Sequence, residues 1–149
     1  MTALVHTGLT VRDLDRSLAF YRDVLGMEVV FEQEKQGGYL AEIVGYPNAH
    51  VRMAHLTFQG GGHRIELFEY LEPPSRGNGG EPRDVGITHV CLAVDDIDAV
   101  LARLTKGGGE AVSSPVLVDT GVNAGGRGVY LRDPDGILIE LFQPRREAR

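Results

Sequence analysis

One tetrapeptide is written twice in this chain, as Ile65-Glu66-Leu67-Phe68 and again as Ile139-Glu140-Leu141-Phe142. In both copies a glutamate alternates with apolar neighbours, so on a strand the carboxylate faces away from the flanking Ile and Leu. The second copy follows Asp133-Pro134-Asp135-Gly136, a φ-fixing proline and a turn-tolerant glycine that predict a tight turn feeding a strand. A lone ionised glutamate inside a half-buried strand is costly unless something positive compensates it. Two in the same local sequence ask for a shared partner, and a metal cation meets that need.

The similarity extends well beyond the tetrapeptide. Residues 6–15 (HTGLTVRDLD) align with residues 89–98 (HVCLAVDDID), with His, Leu, Val and two Asp identical at equivalent spacing. Such a repeat predicts a duplicated architecture. Each half opens with a strand bearing a histidine and closes with a strand bearing a glutamate, which makes His6, Glu66, His89 and Glu140 the candidate site. The expectation is one domain spanning 1–149, with module one at 1–72, a linker at 73–84 rich in Pro and Gly, and module two at 85–145.

Each module reads as βαβββ, giving an α+β fold. Leu4 to Val11 alternates, with Val5, Leu9 and Val11 on the core face and His6, Gly8 and Thr10 on the other. Asp13 is placed to cap a helix over 13–25, in which Leu14, Leu18, Tyr21 and Leu25 recur at helical spacing before Gly26. Strands are predicted over 27–34, 52–58 and 63–70, the last two joined through Gly60-Gly61-Gly62. In the second half, strands are predicted at 87–94, 110–116, 126–132 and 136–143. Asp96 caps a helix carrying Ile97, Val100, Leu101 and Leu104, which Lys106 and Gly107 close. Residues 36–50 and 118–128, the latter including Arg127, are read as loops or lids.

Two imidazoles and two carboxylates suit a divalent ion of the Zn, Ni, Co, Mn or Fe(II) type, whereas a Ca or Mg site would not spend two histidines. His50, His55 and His63 have no repeat counterpart and are read as surface or turn histidines. Cys91 is read as a small buried filler. The formal net charge of −6 and scattered Lys and Arg exclude nucleic acid as a partner. The single cysteine excludes an internal disulfide, and no apolar run has the length of a membrane span or a secretory core, so a cytoplasmic protein is expected.

These residues resemble the vicinal oxygen chelate superfamily, which includes glyoxalase I, methylmalonyl-CoA epimerase, bleomycin-resistance proteins and extradiol dioxygenases. Residues 6–27 resemble the opening of bacterial glyoxalase I, and residues 133–140 resemble its final strand. The resemblance implies paired βαβββ modules in a half-open barrel, metal ligands at His6, Glu66, His89 and Glu140, and a homodimer acting on a small molecule. It also implies a substrate whose adjacent oxygens chelate the ion while a carboxylate moves a proton. Glu140 is then the base with Glu66 in reserve, and Phe68, Tyr70, Arg127, Tyr130 and Phe142 line the pocket. Glyoxalase I carries an arginine where this chain has Thr10 and an asparagine where it has Tyr70, which argues against a glutathione conjugate. The alternative is an Fe(II) extradiol-type dioxygenase using His6, His89 and Glu140, with Tyr130 at the position of that family's active-site tyrosine; Glu66 would add a fourth ligand and close an iron position. A third reading is a drug-binding protein without enzymatic activity, of a kind that lacks the ligand set.

Overall fold

The computed structural model describes residues 2–77 and 80–145, so Asn78 and Gly79 of the linker lie outside the described residues. The chain divides into two compact units, Met1–Gly77 and Asn78–Arg149.

The first unit runs β1 (His6–Val11), α1 (Leu14–Leu18), β2 (Glu28–Gln36), α2 (Gly38–Val44), β3 (His50–Thr57) and β4 (Arg64–Glu72). Its sheet has the order β1-β4-β3-β2, with β1 and β4 parallel and the other pairs antiparallel. The second unit runs β5 (His89–Ala93), α3 (Ile97–Lys106), β6 (Glu110–Ala111), β7 (Val116–Leu117), β8 (Arg127–Arg132) and β9 (Leu138–Gln143). Its order is β5-β9-β8-β6, with β7 also on β8 and β5 parallel to β9. In both units the first strand pairs with the last, so histidine and glutamate strands are neighbours.

Helix caps explain where the helices begin. Asp13 is extended and accepts from the Arg16 amide at 3.0 Å, and Asp96 does the same for Ala99 at 3.0 Å, each satisfying an amide that has no partner within its helix. Helix α1 packs on β3 and β4. It is tied there by Arg52, which bridges to Asp15 at 2.8 Å, and by Glu69, which accepts from the Leu14 amide at 3.1 Å. The core beneath it includes Leu9, Val11, Leu14, Leu18, Leu56 and Leu67. Burial of one such side chain is worth about 1.5–3 kcal/mol.

Several local expectations are corrected. The helix expected as one α segment over 13–25 widens into a π-type helix at Ala19–Val24, where the Leu25 amide reaches back to the Phe20 carbonyl. Consecutive aromatics Phe20 and Tyr21 are both buried, and a wider turn lets neighbours share the inward face. Residues 36–50, read as a loop, contain α2. Seven residues make a marginal helix alone, but Leu40 packs on Val51, Met53 and Phe68, and Gly45 at φ +75° closes the C-terminus. The strand expected at 110–116 is split into β6 and β7. Val5, assigned to the core face, precedes β1 and is exposed. Gly107 has φ −84°, and the left-handed glycine after α3 is Gly108 at φ +103°. Arg127, expected in a glycine-rich loop, begins β8.

Candidate metal and substrate site

Strand parity sorts the first sheet into two faces. Arg52, Ala54, Leu56, Leu67 and Glu69 face α1, so Val51, Met53, His55, Glu66, Phe68 and Tyr70 share the other face. Register then aligns Gly8, Glu66, His55 and Phe31 in one row across four strands. His6 lies near this row, with Nε2 3.4 Å from Glu66 Oε2. Nε2 of the His55 ring lies 3.0 Å from Glu66 Oε1, within hydrogen-bonding distance. It stacks on Phe31 at 4.4 Å and meets the His6 ring edge-on at 5.1 Å.

His55 was expected at the surface and is instead 7% exposed, on a central strand opposite the glutamate. Its Nδ1 is buried with no hydrogen-bond partner among the described residues. The sequence held a signal for this: His55 has the parity of Val51 and Met53, and the hairpin register sets it against Glu66. His63 accepts or donates at Thr7 Oγ1 (2.8 Å) and His50 pairs with Glu34, both in exposed settings.

The second sheet has a corresponding row of Cys91, Glu140 and Tyr130. His89 Nε2 is 3.1 Å from Glu140 Oε2, and Tyr130 Oη is 3.4 Å from the same nitrogen. The His89 and Tyr130 rings are 5.1 Å apart, as are His6 and His55. Tyr130 is therefore the positional counterpart of His55. An ungapped repeat misses this, because His55 precedes Glu66 by 11 residues and Tyr130 precedes Glu140 by 140 − 130 = 10.

The neighbours of the two glutamates thus differ, Gly8 and His55 in one unit and Cys91 and Tyr130 in the other. Cys91, read as buried filler, is exposed. Its thiol is hydrogen-bonded to Glu140, and partial burial followed by the carboxylate charge pushes its pKa up. The Tyr130 phenol is raised the same way, by burial first and by Glu140 second, so it stays a neutral donor.

Two ligands of one ion at about 2.0–2.2 Å stand roughly 2.8–3.6 Å apart in tetrahedral or octahedral geometry. Both His–Glu pairs have that separation, at 3.4 and 3.1 Å, and their imidazole and carboxylate donors fit a borderline divalent ion. Among the described residues no group of three or more His, Cys, Asp or Glu side chains is placed to hold a metal ion.

The expected pocket residues have different fates. Phe68 is buried in the cluster under α2, forming an apolar floor next to Glu66. Tyr70 meets Tyr46 edge-on at 5.9 Å, and its phenol is raised by burial first and by Tyr46 and Glu66 after it. Tyr46 and Tyr70 line a cleft of about 590 Å³ with Thr10, Pro73, Ser75 and Arg76. Arg127 makes a two-pronged contact with Asp98 of α3, one prong at 3.0 Å. Phe142 closes on Gly126, where an added Cβ would come within 2.7 Å of the ring. A cleft of about 230 Å³ in the second unit is lined by Ser113, Gly128, Tyr130 and Glu140.

Similar proteins agree with this architecture. A probable lactoylglutathione lyase of Synechocystis sp. is 31% identical over 142 residues, spanning 94% of this chain and 94% of that protein. The 2-epi-5-epi-valiolone epimerase of Actinomyces sp. is 31% identical over 144 residues, spanning 94% of this chain and 78% of the epimerase. A glyoxalase family protein from Bacillus cereus has the same fold with a TM-score of 0.86 at 27% identity, covering 98% of this chain and 96% of that one. The sequence profile of one superfamily matches residues 3–141, and the chain belongs to it: the Glyoxalase/Bleomycin resistance protein/Dioxygenase superfamily.

Proposed function

We propose that this protein is a divalent-metal-dependent lyase or isomerase of the glyoxalase/epimerase type, moving a proton on a small substrate with adjacent oxygens. The duplicated His–Glu pair carries this reading, because equivalent strands of both units present one imidazole and one carboxylate at the separation of two ligands on one ion. His6, Glu66, His89 and Glu140 are the proposed ligands. When bound, the ion supplies Lewis-acid stabilisation of the oxyanion that develops as a carbon acid loses its proton. Relatives named as lyase and epimerase support the reaction class.

The proton goes to a glutamate, and Glu140 is the better base. Its side chain is 27% exposed, against 17% for Glu66, and it lines a cleft. Tyr130, held neutral beside it, is placed to donate to a substrate oxygen in that cleft. In the first unit, Thr10, Tyr46, Tyr70 and Ser75 bring hydroxyls and Arg76 a guanidinium to one cleft, which suits a hydroxylated substrate bearing an anionic group.

The test is titration of metal-free protein with Ni(II), Co(II) and Zn(II), followed by a screen of hydroxylated keto acids and keto sugars for exchange of carbon-bound hydrogen with deuterium oxide. Stoichiometric uptake that His6→Ala and His89→Ala each abolish, with exchange only in the loaded protein, is the expected result. Protein that takes up none of these ions would overturn the proposal.

A further inference from the structure

The hydrogen bond between His55 and Glu66 has no equivalent in sequence-based expectation, and it breaks the symmetry between the two glutamates. His55 is on a central strand, stacked on Phe31 at 4.4 Å, with Nε2 3.0 Å from Glu66 Oε1. Its opposite nitrogen, Nδ1, is buried without a partner among the described residues. That arrangement selects one tautomer. With the proton on Nδ1, a buried N–H would be left without an acceptor, and the Nε2 lone pair would confront a carboxylate oxygen. With the proton on Nε2, the same ring donates to Glu66 and leaves only an acceptor unpaired.

The consequence falls on Glu66. Its Oε1 is committed to His55, and its Oε2 is the oxygen that faces His6 Nε2 at 3.4 Å. At the equivalent position beside Glu140 stands Tyr130, whose hydroxyl turns to His89 at 3.4 Å, while the remaining row neighbour, Cys91, offers a thiol, a weak donor. Gly8, the row neighbour of Glu66 on β1, brings no side chain to that carboxylate; a Cβ there would make ordinary contact, 3.5 Å from Oε2.

We propose that His55 is a positioning residue whose Nε2–H clamps Oε1 of Glu66, so that this glutamate presents a single fixed oxygen alongside His6 and stays a ligand, leaving Glu140 as the glutamate free to move a proton. The proposal rests on the metal reading above. Groups that orient a ligand in this way typically change metal affinity by about 10–100-fold when removed.

Two variants separate the clamp from simple packing. His55→Phe keeps an aromatic ring against Phe31 but removes the donor, and His55→Gln keeps an N–H donor without the ring. Co(II) titration of the metal-free proteins should show affinity roughly 10–100-fold weaker for His55→Phe and close to native for His55→Gln. Native affinity in His55→Phe, or an equal loss in both variants, would overturn the clamp while leaving the metal reading intact. Failure of the native protein to bind Co(II) would overturn both. A measurement on native, metal-free protein stands apart from any folding defect of the variants: the nitrogen-15 shifts of the His55 ring should place the proton on Nε2. A proton on Nδ1 would refute the clamp.

Discussion

Replacing each glutamate by glutamine should have opposite consequences at the two positions, although the repeat makes the residues look interchangeable. At Glu66 the His55 N–H requires an acceptor 3.0 Å away. A glutamine there must turn its amide oxygen to His55, which puts its NH₂ where Oε2 now faces His6, and an amide nitrogen bearing two hydrogens is no ligand. Glu66→Gln should therefore lose metal. At Glu140 the neighbours are a thiol and a phenol, so a glutamine can keep its oxygen toward the ion and its NH₂ toward the cleft. Glu140→Gln should retain metal and lose the base. A positioned general base contributes about 10²–10⁴-fold, equivalent to roughly 2.7–5.4 kcal/mol of barrier at 1.36 kcal/mol per tenfold. Elemental analysis after dialysis, paired with deuterium exchange into a turned-over substrate, reads both quantities. Exchange in Glu140→Gln at the native rate would refute the base assignment. Metal loss in Glu140→Gln with retention in Glu66→Gln would refute the asymmetry and favour the three-ligand Fe(II) dioxygenase arrangement.

Cys91 provides a pH-dependent check. Because partial burial and the Glu140 charge raise its pKa, less thiolate exists at a given pH, and alkylation near pH 8 should be slower than for a free thiol despite the exposed position. Glu140→Gln should speed it; an unchanged rate would contradict the contact. Leu67→Ala opens a cavity at a fully buried position on the α1 face of β4, and about 2–5 kcal/mol of unfolding free energy should be lost in urea titration. A loss below about 1 kcal/mol would mean that the site collapses around the deletion. Asp96→Ala removes the acceptor for the Ala99 amide and should cost about 0.5–2 kcal/mol, with Asp96→Ser restoring most of it. Equal losses in both variants would show that the cap is not the source.

Features of short sequence range were legible without coordinates. The glutamates Glu66 and Glu140 could be assigned to the face opposite Ile and Leu because side chains alternate on any strand, whatever that strand packs against. Asp13 and Asp96 announced their helices because capping involves only the next three residues. The order of elements in the second half, a strand, a helix and further strands, was legible because its sequence repeats the first.

Other features depended on cross-strand register and packing, which no local pattern contains. His55 had no match in the aligned repeat because its hairpin is one residue longer than the one carrying Tyr130; only strand pairing shows both residues opposite a glutamate. Helix α2 was invisible for a related reason: seven glycine-bounded residues form a stable helix only when Leu40 reaches Val51, Met53 and Phe68. The exposure of Cys91 likewise follows from what covers β5, not from the alternation within it. The residue types that can bind an ion were therefore written in the sequence, whereas the partner that holds each carboxylate was decided by tertiary structure, because hydrogen bonds across a sheet join residues whose register is set by hairpin length and core packing.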